Sequence, residues 1–145
     1  MKRVKLIANL GFPEYQNLGL LLIRGCIGIV FIFHGYPKMF GGAMEWAALG
    51  ATGMGSIGVD FFLPFWGFMA AFAEFVGGIC LVIGLFFRPA ALLIFLTMVF
   101  AVLFHITSGK GSPAAAIQFG VIVSSVFIAG PGKLTLDKIS FSKSS

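Results

Sequence analysis

Charge is what this chain has least of. Ten Lys or Arg and five Asp or Glu are spread through 145 residues, where a soluble domain carries roughly a quarter charged residues. With 59% hydrophobic residues and a mean hydropathy of +1.03, a chain this short cannot hide its apolar surface in one core, so the excess must face lipid. Thiols are equally sparse. Cys26 and Cys80 sit in separate apolar runs, with no C-x-x-C dithiol and no Cys/His spacing suited to zinc. They read as two buried, inert thiols, and no metal site is expected. The net charge of +5 comes from single Lys and Arg residues at the ends of apolar runs, without the interleaved aromatics of a nucleic-acid surface. Nucleic acid is therefore excluded as a partner, and the lipid bilayer takes its place.

What the chain does have is long apolar runs. A helix crossing the ~30 Å hydrocarbon layer needs about 20 mainly apolar residues, and four windows qualify. They predict an all-α, integral membrane four-helix bundle with helices over about 17–36, 63–87, 89–107 and 113–130 of one domain (1–138), followed by a polar tail (139–145). Pro37 is expected to stop the first helix, Arg88-Pro89 to make a tight turn, and Ser112-Pro113 to start the fourth helix. A connection from Met39 to Asp60 separates the first two spans, and its segment 43–49 is expected to form one or two interfacial turns with Trp46 at headgroup level. The basic start, Lys2-Arg3-Val4-Lys5, precedes a run interrupted by Arg24, so the first helix is expected to remain as an anchor rather than a cleaved signal. Counting Lys and Arg in short flanks puts both termini on the cytoplasmic side, since Lys2, Arg3, Lys5, Arg88, Lys133, Lys138 and Lys143 share one side and only Lys38 and Lys110 lie on the other.

The polar groups inside the spans point to the working site. Arg24 and Glu74 each cost about 2.5–3.5 kcal/mol at a helix centre on insertion scales. Roughly 9 and 18 Å from the cytoplasmic edge at 1.5 Å per residue, they are expected to pair and form a buried polar centre, either as a structural ion pair or as a functional one. Arg24, Gly28, Phe31, Gly35 and Lys38 fall on one stripe of the first helix, and Glu74, Gly77, Gly78, Leu81 and Gly84 on a matching stripe of the second, ending near Arg88. These small-residue stripes allow close packing within one chain or between copies in a homo-oligomer. His34, Lys38, His105 and Gln118 are candidates for a proton or ligand site. The two histidines are placed to converge beneath the 39–60 connection, where proton handling with Glu74 is favoured over haem ligation. Gln118 is expected to make a buried interhelical hydrogen bond. The 18 phenylalanines would suit a flat, quinone-like pocket, although lipid contact alone accounts for them.

These residues together resemble the DoxX family of small bacterial membrane proteins. The resemblance is carried by Arg24, His34-Gly35 and Lys38, by Glu74-x-x-Gly77-Gly78 leading to Gly84-Leu85 and Arg88-x-Ala90-Ala91, by His105, and by Gly130-Pro131-Gly132 before Leu136-Asp137, with Thr135 where the family has serine. It implies a four-helix membrane fold and an association with redox biology: a subunit or partner of a quinone-linked system, as in thiosulfate:quinone oxidoreductase, or of membrane complexes that counter thiol oxidative stress. Members of the wider group that act as membrane chaperones or cargo receptors imply the alternative, a non-catalytic scaffold or assembly factor.

Overall fold

The computed structural model describes residues 13–136. The terminal basic residues Lys2, Arg3, Lys5, Lys138 and Lys143 and the polar tail from 139 lie outside the described residues. Among the described residues five α-helices follow one another: α1 (Pro13–Phe40), α2 (Ala43–Gly53) with a 3₁₀ turn at Met54–Ile57, α3 (Leu63–Ile83), α4 (Phe87–Ser108) and α5 (Ala114–Ala129). Helices α1, α3 and α4 are long and apolar enough to cross a membrane, whereas α5 has 16 residues, about 24 Å at 1.5 Å per residue. Only 22–39% of each long apolar window is buried. Large side chains such as Phe33 and Ile128 are 75% and 79% exposed, an outer surface suited to lipid rather than water.

Three boundaries depart from those expected. Pro37 does not end α1, which continues through Phe40. A proline's missing backbone bond is tolerated in apolar spans where neighbouring groups re-satisfy the helix, and the Trp46 indole N–H donates to the Lys38 carbonyl at 2.9 Å near that helix end. The turn between α3 and α4 falls at 84–86, not at Arg88-Pro89. Gly84 closes α3 in the left-handed region at φ 71°, where glycine carries no steric penalty. Pro89 instead sits in the first turn of α4, where its lost N–H would have had no intrahelical acceptor. The 39–60 connection holds a true helix, α2, of 11 residues. Just before α5, whose N-cap is Pro113, the Ser112 hydroxyl accepts from the Ala114 N–H at 3.2 Å.

Lipid is as apolar as leucine, so helices associate in it by close packing rather than by hydrophobic burial. The antiparallel α1/α3 pair shows this directly. A Cβ on Gly28 would lie 2.7 Å from the Gly78 carbonyl, one on Gly78 would lie 2.8 Å from the Gly28 carbonyl, and one on Gly35 would collide with the backbone of Glu74 and Phe75. The stripe residues Arg24, Gly28, Phe31 and Gly35 are all buried, as are Glu74, Gly77, Gly78, Leu81 and Gly84, with Gly77 meeting Ile94 of α4 rather than α1. The same device seats α2, since a Cβ on Gly67 of α3 would strike the Trp46 backbone and one on Gly50 would strike that of Leu63. The inner half of α3 therefore packs on α1 and the remainder on α2, with α2 stacked beyond the end of α1. A core of Ile27, Phe31, Leu81, Phe87, Ile94 and Val123 fills the centre of the bundle.

Candidate functional site

Stacking α2 beyond α1 has an electrostatic outcome. The C-terminal turn of α1 stops level with the middle of α3, and this carries Lys38 to Glu74. The Lys38 Nζ donates to both carboxylate oxygens, at 2.8 Å to Oε1 and 2.6 Å to Oε2. Their side chains are 29% and 7% exposed. The Lys38 ammonium also sits at the helix C-terminus, where the backbone dipole favours a cation.

Arg24 and Glu74 are both buried, but they do not pair. Fourteen residues separate Arg24 from Lys38, about 21 Å along the helix, and Glu74 sits beside the latter. The expected pairing compared depths along two helices without knowing that α1 extends to Phe40 and that its register sets Gly35 against Glu74. Arg24 turns to the opposite end of the bundle. Its Nη1 donates to the Pro131 carbonyl and its Nη2 to the Leu134 carbonyl, each at 2.7 Å, while the Asn17 side-chain oxygen accepts from the Lys133 N–H at 3.0 Å. The guanidinium thus fastens the segment after α5 to α1 and α3, directly over the Gly84 turn, where a Cβ would lie 2.8 Å from Nη1.

The Lys38–Glu74 pair forms part of the wall of an open-sided cavity of about 360 Å³ between α2, α3 and α4. The rest of the wall is almost wholly apolar, with Leu49 and Met54 above, Trp66, Met69 and Ala73 on α3, and Leu96 and Phe100 on α4. Three further polar side chains belong to it. Thr52 of α2 donates its hydroxyl to the Ala48 carbonyl at 2.9 Å. Thr97 donates its hydroxyl to the Ile94 carbonyl at 2.7 Å, and the Trp66 indole Nε1 is buried without a hydrogen-bond partner. An apolar hollow with a few convergent polar groups is the usual form of a small-molecule site.

The remaining candidates lie elsewhere. His34 is exposed on α1, its ring edge-on to Phe119 with centroids 6.0 Å apart. His105 donates its Nδ1–H to the Lys110 carbonyl at 2.6 Å, bracing the loop after α4. Neither histidine lines the cavity under α2: His34 packs on Phe119 of α5, and His105 lies at the far end of α4 against the Lys110 loop. Gln118 is exposed on α5 rather than buried between helices, and Arg88 is exposed at the start of α4. Cys26 is exposed, not buried, and forms no disulfide with Cys80. Among the described residues no three His, Cys, Asp or Glu side chains are grouped to hold a metal. Trp66 was not anticipated, and α2 was expected only as one or two interfacial turns over 43–49, shorter than the helix Ala43–Gly53. The available signal was an indole N–H inside an apolar run, a group that normally finds a partner when buried.

Long apolar helices, an outer shell of exposed hydrophobic side chains and a buried ion pair define a multi-pass helical membrane protein. The chain belongs to the DoxX family, whose model matches residues 19–106. It is also similar to an uncharacterized protein of Haemophilus influenzae, 29% identical over 138 residues that span 90% of this chain and 96% of the relative. No solved structure matches it.

Proposed function

We propose that this protein binds a lipid-soluble, quinone-type ligand in the cavity beside Lys38 and Glu74, as a subunit or partner of a quinone-linked redox or thiol oxidative-stress system of the bacterial inner membrane. The observation that carries this reading is the union of an apolar hollow of about 360 Å³ with a buried ion pair in its wall. That volume accommodates a substituted ring and the first part of a tail. Lys38 has three N–H donors, of which Glu74 engages two, and the third is available to a ring carbonyl. Glu74 fixes the ammonium in place. A cytoplasmic location for both termini is supported by Arg88 and Lys133, which flank the Arg24 end of the bundle, with Lys110 at the other end; α5 then makes the fourth crossing despite its length.

The test is retention of decylubiquinone by the purified protein in lipid nanodiscs, compared with empty discs. Saturable retention that is lost in the Lys38→Met/Glu74→Met variant supports the reading. Retention no greater than that of empty discs refutes it. The second reading, a non-catalytic scaffold, is favoured by Arg24, whose donors serve the backbone of the post-α5 segment rather than the cavity. Under that reading a membrane partner is recovered by crosslinking whether or not Lys38 and Glu74 are present.

A further inference from the structure

Two polar side chains stand on the outside of the bundle at a depth that headgroups do not reach. A Cβ on Gly35 would meet the backbone of Glu74 and Phe75, at the middle of the 21-residue α3, so His34, one residue before Gly35, is also at mid-span. Its ring lies edge-on to Phe119 with centroids 6.0 Å apart, which brings Phe119 and the adjoining Gln118 of α5 to the same height. With α3 crossing the ~30 Å hydrocarbon layer, headgroups begin about 15 Å away in either direction, beyond the length of either side chain. Both residues are exposed, and among the described residues neither has a hydrogen-bond partner. The two also share one edge of the bundle. Successive helix residues turn by about 100°, so Gln118 lies on the opposite side of Phe119 from Gly120, which borders Met98 of α4, and His34 is turned away from Gly35, which borders α3. They flank the contact of Phe31 with Phe119, 5.6 Å between centroids, that joins α1 to α5.

Lipid tails offer such groups no hydrogen bond, whereas another protein surface does. A neutral imidazole has one donor and one acceptor, and a carboxamide has both kinds, so His34 and Gln118 complement each other. Copies of one chain insert with one orientation. A two-fold axis relating them therefore runs along the membrane normal and keeps every residue at its own depth. Such an axis beside the α1/α5 edge sets α1 of each copy against α5 of the other, and two groups at one depth on adjoining helices then meet twice, residue i on j and j on i. We infer that the α1/α5 edge is an interface between two copies of this chain, closed at mid-bilayer by reciprocal His34–Gln118 hydrogen bonds. Ser125, exposed on α5 seven residues after Gln118 and so on the same face, is small enough for the helices to approach. The cavity beside Lys38 lies between α2, α3 and α4, away from this edge, so the interface goes beyond the quinone-type reading and stands or falls without it.

The experiment counts photobleaching steps of the labelled full chain in vesicles of phosphatidylethanolamine and phosphatidylglycerol over a dilution series. The wild type is expected to be dimeric at the higher protein-to-lipid ratios and to dissociate on dilution. An interhelical hydrogen bond is worth about threefold to tenfold in association, so with two reciprocal pairs the His34→Leu/Gln118→Leu variant is expected to weaken the dimer about tenfold to hundredfold. Leucine suits a lipid-facing position, and SDS unfolding of the variant shows that its fold is retained. In chains whose Cys26 and Cys80 are replaced by alanine, His34→Cys and Gln118→Cys chains mixed together are expected to crosslink to each other through a short bismaleimide more than either does to itself. That mixed pair keeps one His34–Gln118 contact intact. A wild type that stays monomeric at every ratio overturns the inference and leaves the edge to lipid or to a different protein. An unweakened dimer in the double leucine variant overturns it too, as does crosslinking with no preference for the mixed pair.

Discussion

Removing Lys38 leaves the Glu74 carboxylate, 7% exposed, with no cation beside it. Breaking a buried pair from one side costs about 3–5 kcal/mol in soluble proteins, and a lone charge at mid-span costs about 2.5–3.5 kcal/mol on insertion scales. Lys38 retains 29% exposure, which moves the effect towards the lower end, so Lys38→Met is expected to destabilise the fold by about 3 kcal/mol, roughly a hundredfold in the folding equilibrium. Glu74→Met leaves an ammonium on a long stem that can reach towards headgroups, and about 1.5 kcal/mol is expected for it. The double variant replaces the pair with apolar groups of similar size and should lie within about 1 kcal/mol of the wild type. Unfolding by SDS in mixed micelles measures all four proteins and yields the coupling energy of the cycle. A double variant as unstable as Lys38→Met would refute the argument, because it would assign the loss to packing rather than to an uncompensated charge. A stable double variant that no longer retains quinone would separate the pair's role in the site from its role in the fold.

At the other end of the bundle, Arg24→Gln removes charge-assisted bonds to the Pro131 and Leu134 carbonyls and is expected to cost about 2–4 kcal/mol; a cysteine at Thr135, 2% exposed under the clasp, should then react with a water-soluble maleimide, and unchanged reactivity would contradict the clasp. Gly78→Leu places a side chain where even a Cβ meets the Gly28 carbonyl, and a loss of 3 kcal/mol or more, the upper range for overpacking, should appear in the same SDS titration. His34→Ala, at an exposed position outside the cavity, should leave decylubiquinone affinity within about twofold, whereas a loss comparable to that of Lys38→Met would relocate the site.

The helical class, the small-residue faces and the burial of Arg24 and Glu74 were legible in the sequence because lipid demands them: length, glycine periodicity and rare charge all carry a high energetic cost when misplaced. The partners of those charges were not. Arg24 and Glu74 have opposite signs and sit in neighbouring spans, which makes pairing the simplest reading, but a shift of a few residues in helix register changes the neighbour of each. Here the register follows from Gly28 meeting Gly78 and from α1 running past Pro37, neither of which is written in hydropathy. The cavity was hidden for a related reason, as it exists only because α2 packs on α3, and a segment rich in Gly, Ala and Met gives little pattern to show which face it buries. His34 and Gln118 were misjudged because polarity in an apolar run does not say which way a side chain turns.

The unequal helix lengths also bear on the surrounding membrane. Helix α1 has 28 residues and its neighbour α5 has 16, so with α5 as the proposed fourth crossing the bundle would present the bilayer with a tall wall on one side and one shorter than its hydrocarbon thickness on another. Lipids bordering α5 must compress, or the Gly130–Leu136 segment clasped by Arg24 must sink among the headgroups. Each ångström of such disparity carries a modest elastic cost. The chain is thereby biased towards thin regions of its bilayer, and any neighbour that shelters α5 from lipid relaxes the deformation.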